Sequence, residues 1–130
     1  MTDAELLDMA AGAAEGSYSP YSHFRVGAAV VTDGGEVVTG ANIENAAFGA
    51  SICAEANAIT NAVAGGARAI AVVAVVCLDG ELCTPCGNCR QIMREFQVER
   101  VILRSPDGSP AVLTIEDLLP MSFGPEALGE

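Results

Sequence analysis

The fold class can be inferred from residues 69–105, AIAVVAVVCLDGELCTPCGNCRQIMREFQVERVILRS. The apolar run at 69–77 has no polar alternation, as expected of a strand buried on both faces. The segment 86–96 has helical spacing, with Ile92, Met93 and Phe96 on its inner side. A further strand is predicted at 98–105. Strands that alternate with helices are typical of an α/β domain.

The sequence on either side extends this pattern. Thr2 and Glu5 form a capping-box pattern that opens a helix over about residues 3–15. Further predicted elements are a hairpin at 25–32 and 36–41, a helix at 53–66 and a strand at 111–115, and the tail 120–130 is expected to be loosely structured apart from Phe123. We therefore predict a single domain over 1–130, an α/β sandwich with a mixed sheet.

The charge of the chain limits what it can bind. Seventeen acidic residues stand against six basic ones, giving a net charge of −11. Nucleic acids and anionic membranes are poor partners for such a chain, because affinity for polyanions depends mainly on Lys and Arg. No apolar run approaches the roughly 20 residues of a membrane helix. The N-terminus, MTDAELL, does not read as a secretory signal, and the five cysteines are an odd number. We expect a cytoplasmic protein with reduced thiols and a small neutral substrate.

Two short cysteine clusters lie where a helix is predicted to begin. The first is Cys53-Ala54-Glu55, and the second is Pro85-Cys86-Gly87-Asn88-Cys89. A helix N-terminus carries partial positive charge, which lowers the pKa of a thiol there. Three thiolates at two such termini satisfy the rule for a catalytic zinc ion, three protein ligands and one open position. The two clusters together predict a zinc site.

Glu55 lies two residues after the first predicted ligand. A carboxyl group there can take a proton from activated water and pass it to a leaving amine. A first ligand, one residue, Glu and then P-C-x-x-C is the pattern of zinc deaminases, for which three cysteines are a permitted ligand set. His23 lies in an early loop, so a ligand set from these motifs is all sulfur.

Other interpretations of the cysteines remain open. Cys77 ends an apolar strand and is expected to be a buried small side chain. Cys83 continues a C-x-x-C-x-x-C run, which also suits an iron–sulfur or structural zinc site, although a strand ending at Pro85 would hold it away from the helical turn. Strand, Cys86-Gly-x-Cys89 and helix also match a thiol redox protein, but that interpretation leaves Glu55 unexplained. A non-catalytic zinc module is a third class.

The sequence resembles the cytidine deaminase family, in its small homotetrameric branch with an all-cysteine zinc site. The resemblance runs from about Tyr18 to Phe123 and rests on YSPYSHFRVGAA, TGANIENAAFG, SICAEANA, TPCGNCRQ and DLLPMSFG. It implies a three-layer αβα sandwich around a mixed five-stranded sheet. It also implies deamination of cytidine and deoxycytidine to uridine and deoxyuridine, with release of ammonia, in pyrimidine salvage. Blasticidin-type deaminases share the zinc motifs but usually lack the N-x-E-N pattern found here at 42–45.

The resemblance also implies roles for individual residues. One zinc ion per subunit would be held by Cys53, Cys86 and Cys89, with Glu55 as the proton shuttle. The substrate would be bound by Phe24 stacking on the pyrimidine, Asn42 and Glu44 on the ribose hydroxyls, the Ala54 backbone on the base and the Thr84 carbonyl on the exocyclic amine. Ala46, Phe48 and Phe123 would reach a neighbouring subunit's site, so the active unit would be a homotetramer with shared sites.

This chain departs from the family pattern at three positions. Ala56 stands where Arg usually follows the glutamate, Phe48 where Tyr is common and Ala41 where Cys is frequent. The missing arginine matters for charge, since three thiolates and Zn²⁺ sum to −3 + 2 = −1. We hypothesise that Arg90 and the helix dipoles supply part of the compensation.

Overall fold

The computed structural model describes residues 1–80 and 82–129. The helices are α1 (Asp3–Ala14), α2 (Ala54–Ala64), α3 (Gly87–Glu95) and α4 (Ile115–Leu118), with 3₁₀ turns at Phe48–Ala50 and Pro125–Leu128. The strands are β1 (Val26–Thr32), β2 (Val37–Ala41), β3 (Ile70–Cys77), β4 (Arg100–Arg104) and β5 (Pro110–Leu113). No helix in these two ranges is long and apolar enough to cross a membrane.

The strands form one mixed sheet in the order β2-β1-β3-β4-β5. The β3–β4 pair is parallel, and the other three neighbouring pairs are antiparallel. Helix α3 connects the parallel pair, as a crossover between parallel strands requires. The predicted α/β fold with a mixed five-stranded sheet is confirmed.

Helices cover both faces of the sheet. On one face, α1 buries Leu6, Leu7 and Ala10 against the sheet. On the other face, α2 and α3 pack on the alternate strand residues, including Val73 and Val75. Successive β3 side chains point to opposite faces, so the run at 69–77 needs no polar alternation. The result is the predicted three-layer sandwich, with α2 and α3 together on the face that carries the cysteines.

The glycine at position 40 lets α2 lie directly on β2. A Cβ atom at Gly40 would lie 2.6 Å from the Ala58 nitrogen and 2.9 Å from the Ala54 oxygen. The Asn57 side chain also donates a hydrogen bond to the Ala41 carbonyl, at 2.8 Å. These contacts fix the first turn of α2 against the end of β2.

The elements differ from the prediction mainly near the C-terminus. The capping box of Thr2 and Glu5 is present, as predicted. The strand predicted at 111–115 instead spans Pro110–Leu113, because Thr114 caps a short helix that begins at Ile115. The tail was expected to be loosely structured, and this was wrong for Pro125–Leu128, while Glu130 lies outside the described residues. Pro125 begins a 3₁₀ turn, and side chains of α3 hold the segment before it.

Candidate active site

Three cysteine sulfurs converge at the N-termini of α2 and α3. Cys53 is the N-cap of α2, Cys86 is the N-cap of α3, and Cys89 lies in the first turn of α3. Their Sγ atoms all lie within 4.8 Å of one another, and those of Cys53 and Cys86 are 3.7 Å apart. Cys86 therefore caps its helix rather than lying within the first turn, which is where the sequence had placed it.

The donor set and its spacing fit a zinc ion. Tetrahedral coordination with Zn–S bonds of about 2.3 Å requires sulfurs roughly 3.8 Å apart. The 3.7 Å between Cys53 and Cys86 already meets this distance. All three thiols are free, and they are the one group of three or more potential metal-binding side chains found in the described ranges. Cys83 is outside this group, so the alternative of a longer ligand run is not supported.

The surroundings of Cys53 favour its ionised form. The pKa of Cys53 is lowered to about 6, chiefly by a hydrogen bond with Cys89. That interaction and burial raise the pKa of Cys89, because one proton is then shared by two sulfurs. Neither N-cap side chain accepts a hydrogen bond from its own helix. The first N–H groups of a helix have no partner within that helix, so they are available to an ionised sulfur at the N-cap. A bound cation would favour ionisation of all three.

Glu55 is buried beside the cysteines. Only 4% of the residue is exposed, and burial raises the pKa of its carboxyl group to about 7. The position follows from the helix, because Glu55 lies in the first turn of α2, two residues after Cys53. A carboxyl group that titrates near neutral pH can both accept and donate a proton during turnover.

A cavity of about 160 Å³ joins these groups. Apart from the metal-binding and acidic side chains, its lining comes from the start of β1, the first residue of α2 and two loops: Val26, Ala54, Asn42, Cys83 and Thr84. Burial raises the pKa of Cys83 to about 12, so this thiol stays neutral. A larger cavity of about 460 Å³ lies at the other end of α2 and includes none of the three cysteines.

The two residues expected to bind ribose are held by hydrogen bonds within the chain. The Asn42 Oδ1 atom accepts from the Ser17 hydroxyl at 2.5 Å and the Val26 N–H at 2.9 Å, and its Nδ2 donates to the Phe24 carbonyl at 2.8 Å. One Nδ2 hydrogen is left over, because the amide group carries two. Asn42 lines the cavity with the cysteines.

Glu44 lines a separate cavity of about 410 Å³ with Tyr21, Ser22, Phe48 and Ser51. Its carboxylate accepts from the Tyr21 and Ser22 N–H groups, at 3.0 and 3.1 Å, and from the Ser22 hydroxyl. These hydrogen bonds lower the pKa of Glu44 and keep it ionised. The serines that orient Asn42 and Glu44 were missed at the sequence level. They belong to the YSPYSHF stretch and its preceding Ser17, but no local pattern indicates which distant side chains they contact.

The aromatic residues expected at the site lie near its rim or far from it. The Phe24 ring packs on Gly80, where a Cβ atom would approach it to 2.8 Å. Phe48 makes an edge-to-face contact with Tyr21, with ring centroids 6.0 Å apart. Phe48 and Phe123 are 75% and 60% exposed, and Ala46 is exposed as well. Within one subunit these three side chains do not line the cavity of the cysteines.

Arg90, which we hypothesised to balance part of the thiolate charge, makes its hydrogen bonds with two backbone carbonyls. Its Nε donates to the Pro85 carbonyl at 2.8 Å, and its Nη1 donates to the Leu118 carbonyl at 2.7 Å. The guanidinium therefore ties the residue before Cys86 to the end of α4. Any electrostatic effect of Arg90 on the thiolates acts through space rather than through a hydrogen bond.

Three clustered thiols, two of which line a small cavity with a buried carboxyl group, define a zinc hydrolase type of site. A profile of the "Cytidine and deoxycytidylate deaminase zinc-binding region" matches residues 1–105. The cytidine deaminase of Halalkalibacterium halodurans is 40% identical over 127 residues, 96% of each chain. That of Mycobacterium tuberculosis is 41% identical over 116 residues, covering 86% of this chain and 82% of the relative. The crystal structure of the Burkholderia pseudomallei cytidine deaminase superposes with a TM-score of 0.88 at 42% identity, covering 95% and 100% of the two chains.

This chain belongs to the cytidine and deoxycytidylate deaminase family.

Proposed function

We propose that this chain hydrolyses cytidine and deoxycytidine to uridine and deoxyuridine with release of ammonia, as a zinc-dependent enzyme of pyrimidine salvage. One observation carries the proposal: the sulfurs of Cys53, Cys86 and Cys89 lie within 4.8 Å of one another, and buried Glu55 lines the same cavity. Relatives that match nearly the whole chain are named cytidine deaminases.

The chemistry divides between the metal and the chain. Zinc held by the three thiolates supplies Lewis-acid activation of water. Glu55 accepts one proton of the water and donates it to N3 of the pyrimidine. It then accepts the second proton from the hydroxyl group on C4 and donates it to the departing amine. The products are the C4 carbonyl and ammonia, so one water molecule is consumed for each amine released. The burial that raises the pKa of Glu55 supports this exchange near neutral pH.

The substrate groups we assign are those that the resemblance to the family implies. The Ala54 backbone reads the base and the Thr84 carbonyl faces the exocyclic amine; both residues line the cavity of the cysteines. The free Nδ2 hydrogen of Asn42 and the carboxylate of Glu44 bind the ribose hydroxyls, and hydrogen bonds to a carboxylate are the stronger kind. Glu44 also disfavours a 5′-phosphate, so a nucleoside is the substrate rather than a nucleotide. Phe24 stacks on the pyrimidine.

The enzyme we propose is a homotetramer of single-domain subunits that share their sites. Ala46, Phe48 and Phe123 are exposed in the single chain, and large apolar side chains in that state favour burial against a partner. Each would enter the site of a neighbouring subunit. The five free cysteines support a reducing compartment, the cytoplasm.

The test is loss of absorbance of cytidine with the wild type and Glu55→Gln. We expect about one zinc ion per chain in both proteins, and turnover reduced roughly 10²- to 10⁴-fold in Glu55→Gln, because general acid–base catalysis contributes about that much. Glu99→Gln, at an exposed position before β4, is the matched control and should behave as the wild type. A wild type without zinc or without activity on cytidine, or a Glu55→Gln protein with normal turnover, contradicts the proposal. Blasticidin S as a second substrate tests the related antibiotic deaminases.

A further inference from the structure

Side chains of α3 hold the C-terminal segment of the chain in place. The Gln91 Nε2 donates to the carbonyl of Phe123 at 2.8 Å. The Arg94 Nε donates to the Ser122 hydroxyl at 3.0 Å, and its Nη2 forms an ion pair with Glu126. Two side chains one helical turn apart thus grip the backbone and side chains on both sides of Phe123. We use the name clamp for Gln91 and Arg94.

Gly124 lets the segment lie flat on the clamp. A Cβ atom at this position would lie 2.5 Å from the Arg94 Cζ and Nη2 atoms. Gly124 is buried and its φ is −145°, an extended conformation that other residues also adopt, so the constraint comes from the contact and not from the backbone angle. Any side chain here has to displace the guanidinium.

The clamp fixes the backbone of Phe123 while the ring stays outside. Phe123 is 60% exposed although its carbonyl and both sequence neighbours are held. A large apolar side chain on a tethered backbone is preorganised for contact with another surface, because the entropy of ordering the segment has already been spent.

Resting on the proposed function, we propose that Gln91 and Arg94 are positioning residues that present Phe123 to the active site of a neighbouring subunit. Neither residue contacts the cavity of its own subunit. Helix α3 begins directly after Cys86 and includes Cys89. One helix therefore positions two metal ligands of its own site and the Phe123 segment that would enter the site of the neighbouring subunit.

The test compares Arg94→Gln, Gln91→Ala and Gly124→Ala with the wild type. We expect the KM for cytidine to rise about tenfold in Arg94→Gln, because hydrogen bonds to a charged group contribute roughly that factor or more. Gln91→Ala loses a neutral hydrogen bond, so its KM should rise about fivefold, and Gly124→Ala, which displaces the guanidinium, should match Arg94→Gln. Zinc content should stay at the wild-type value, because the cysteines are untouched. Gly124→Ala keeps both clamp side chains, so its agreement with Arg94→Gln would assign the effect to the lost contact. The control is Arg104→Gln, which removes the ion pair between Arg104 at the end of β4 and Asp8 of α1.

Mixed assemblies separate positioning from a structural role. Arg94→Gln and Glu55→Gln chains are co-expressed with different tags and purified in tandem. In such a mixture, a Glu55→Gln chain has an intact clamp and can place its Phe123 in the site of an Arg94→Gln chain, which has an intact Glu55. The KM for cytidine at those sites should return to the wild-type value. An unchanged KM in the clamp variants, or a mixture no better than Arg94→Gln alone, overturns the inference. An inactive wild type instead rejects the proposed function, so the two failures are distinguishable.

Discussion

The contact between Gly40 and α2 allows a quantitative test of how the fold positions the site. The Cβ atom of Gly40→Ala would lie 2.6 Å from the Ala58 nitrogen, where non-bonded heavy atoms pack at roughly 3.5 Å, so α2 has to retreat by roughly 0.9 Å (3.5 minus 2.6). The same Cβ would lie 2.9 Å from the Ala54 oxygen, in the first turn that carries Glu55. Displacement therefore reaches the proton shuttle and the adjacent metal ligand.

Two effects are expected from Gly40→Ala. Overpacking of this kind costs about 1–3 kcal/mol, which lowers the Tm by about 4 °C per kcal/mol in a domain of this size. A displacement near 1 Å between catalytic groups lowers kcat/KM by roughly a hundredfold. The measurements are thermal melts, zinc per chain and cytidine kinetics well below the Tm of the variant.

Leu7→Ala is the matched control for stability. Leu7 of α1 is 1% exposed and packs between the helix and the sheet, on the opposite face of the sheet from the cysteines. Removing it costs about 2–5 kcal/mol, at least as much as the glycine change. We expect the folded Leu7→Ala protein to keep its kcat/KM. Equal losses of activity in the two variants, or normal kinetics in Gly40→Ala, would show that the position of α2 on β2 does not determine the activity of the site.

Two further predictions concern the cysteines and the pH dependence of stability. Cys83→Ala should retain about one zinc ion per chain after dialysis against a chelator, whereas Cys89→Ser should lose it, because the Cys83 sulfur is outside the group of three. Metal analysis decides between them, and equal zinc in both variants contradicts the assigned ligands. Hydrogen bonds from Arg25 lower the pKa of Asp79 below its ordinary value of 3.8. That pair therefore stabilises the fold above about pH 4 and loses its effect as the pH falls further. Asp79→Asn should have a lower Tm than the wild type at pH 7, with the difference shrinking below pH 4; a constant difference contradicts this.

Local patterns in the sequence predict most of the elements but not their arrangement. Three patterns depend only on residues close together in the chain: the capping box, the apolar run at 69–77 and the alternation of strands and helices. The elements that they specify can therefore be predicted from the sequence. The antiparallel pairing of β1 with β3 depends on residues 38 to 51 positions apart. The C-terminal turn had a local signal, Gly124 before Pro125, since proline is favoured in the first turn of a helix.

The site divides in the same way. The cysteines and Glu55 were predicted because each lies near the start of a helix and all fit the zinc deaminase pattern. The hydrogen bonds of Asn42 to Ser17 and of Arg90 to Leu118 bridge residues 25 and 28 positions apart. No spacing rule predicts such bonds, so the two carbonyl contacts of Arg90 were not foreseen, while its hypothesised effect on the thiolate charge stays a prediction.

The position of Arg90 changes how the charge of the metal site is balanced. In the described ranges no arginine donates a hydrogen bond to the three sulfurs, and Ala56 is a buried core residue. The positive ends of two helices remain. Cys53 and Cys86 occupy N-cap positions, where Ser or Asp normally accepts a hydrogen bond from the first turn, and neither makes such a bond. A thiolate is a stronger hydrogen-bond acceptor than a thiol. Loss of the thiol proton would therefore give the form of the side chain that binds a metal and also let the sulfur cap its helix. Two helix N-termini acting together can thus stabilise thiolates in a chain that has Ala56 in place of the usual arginine.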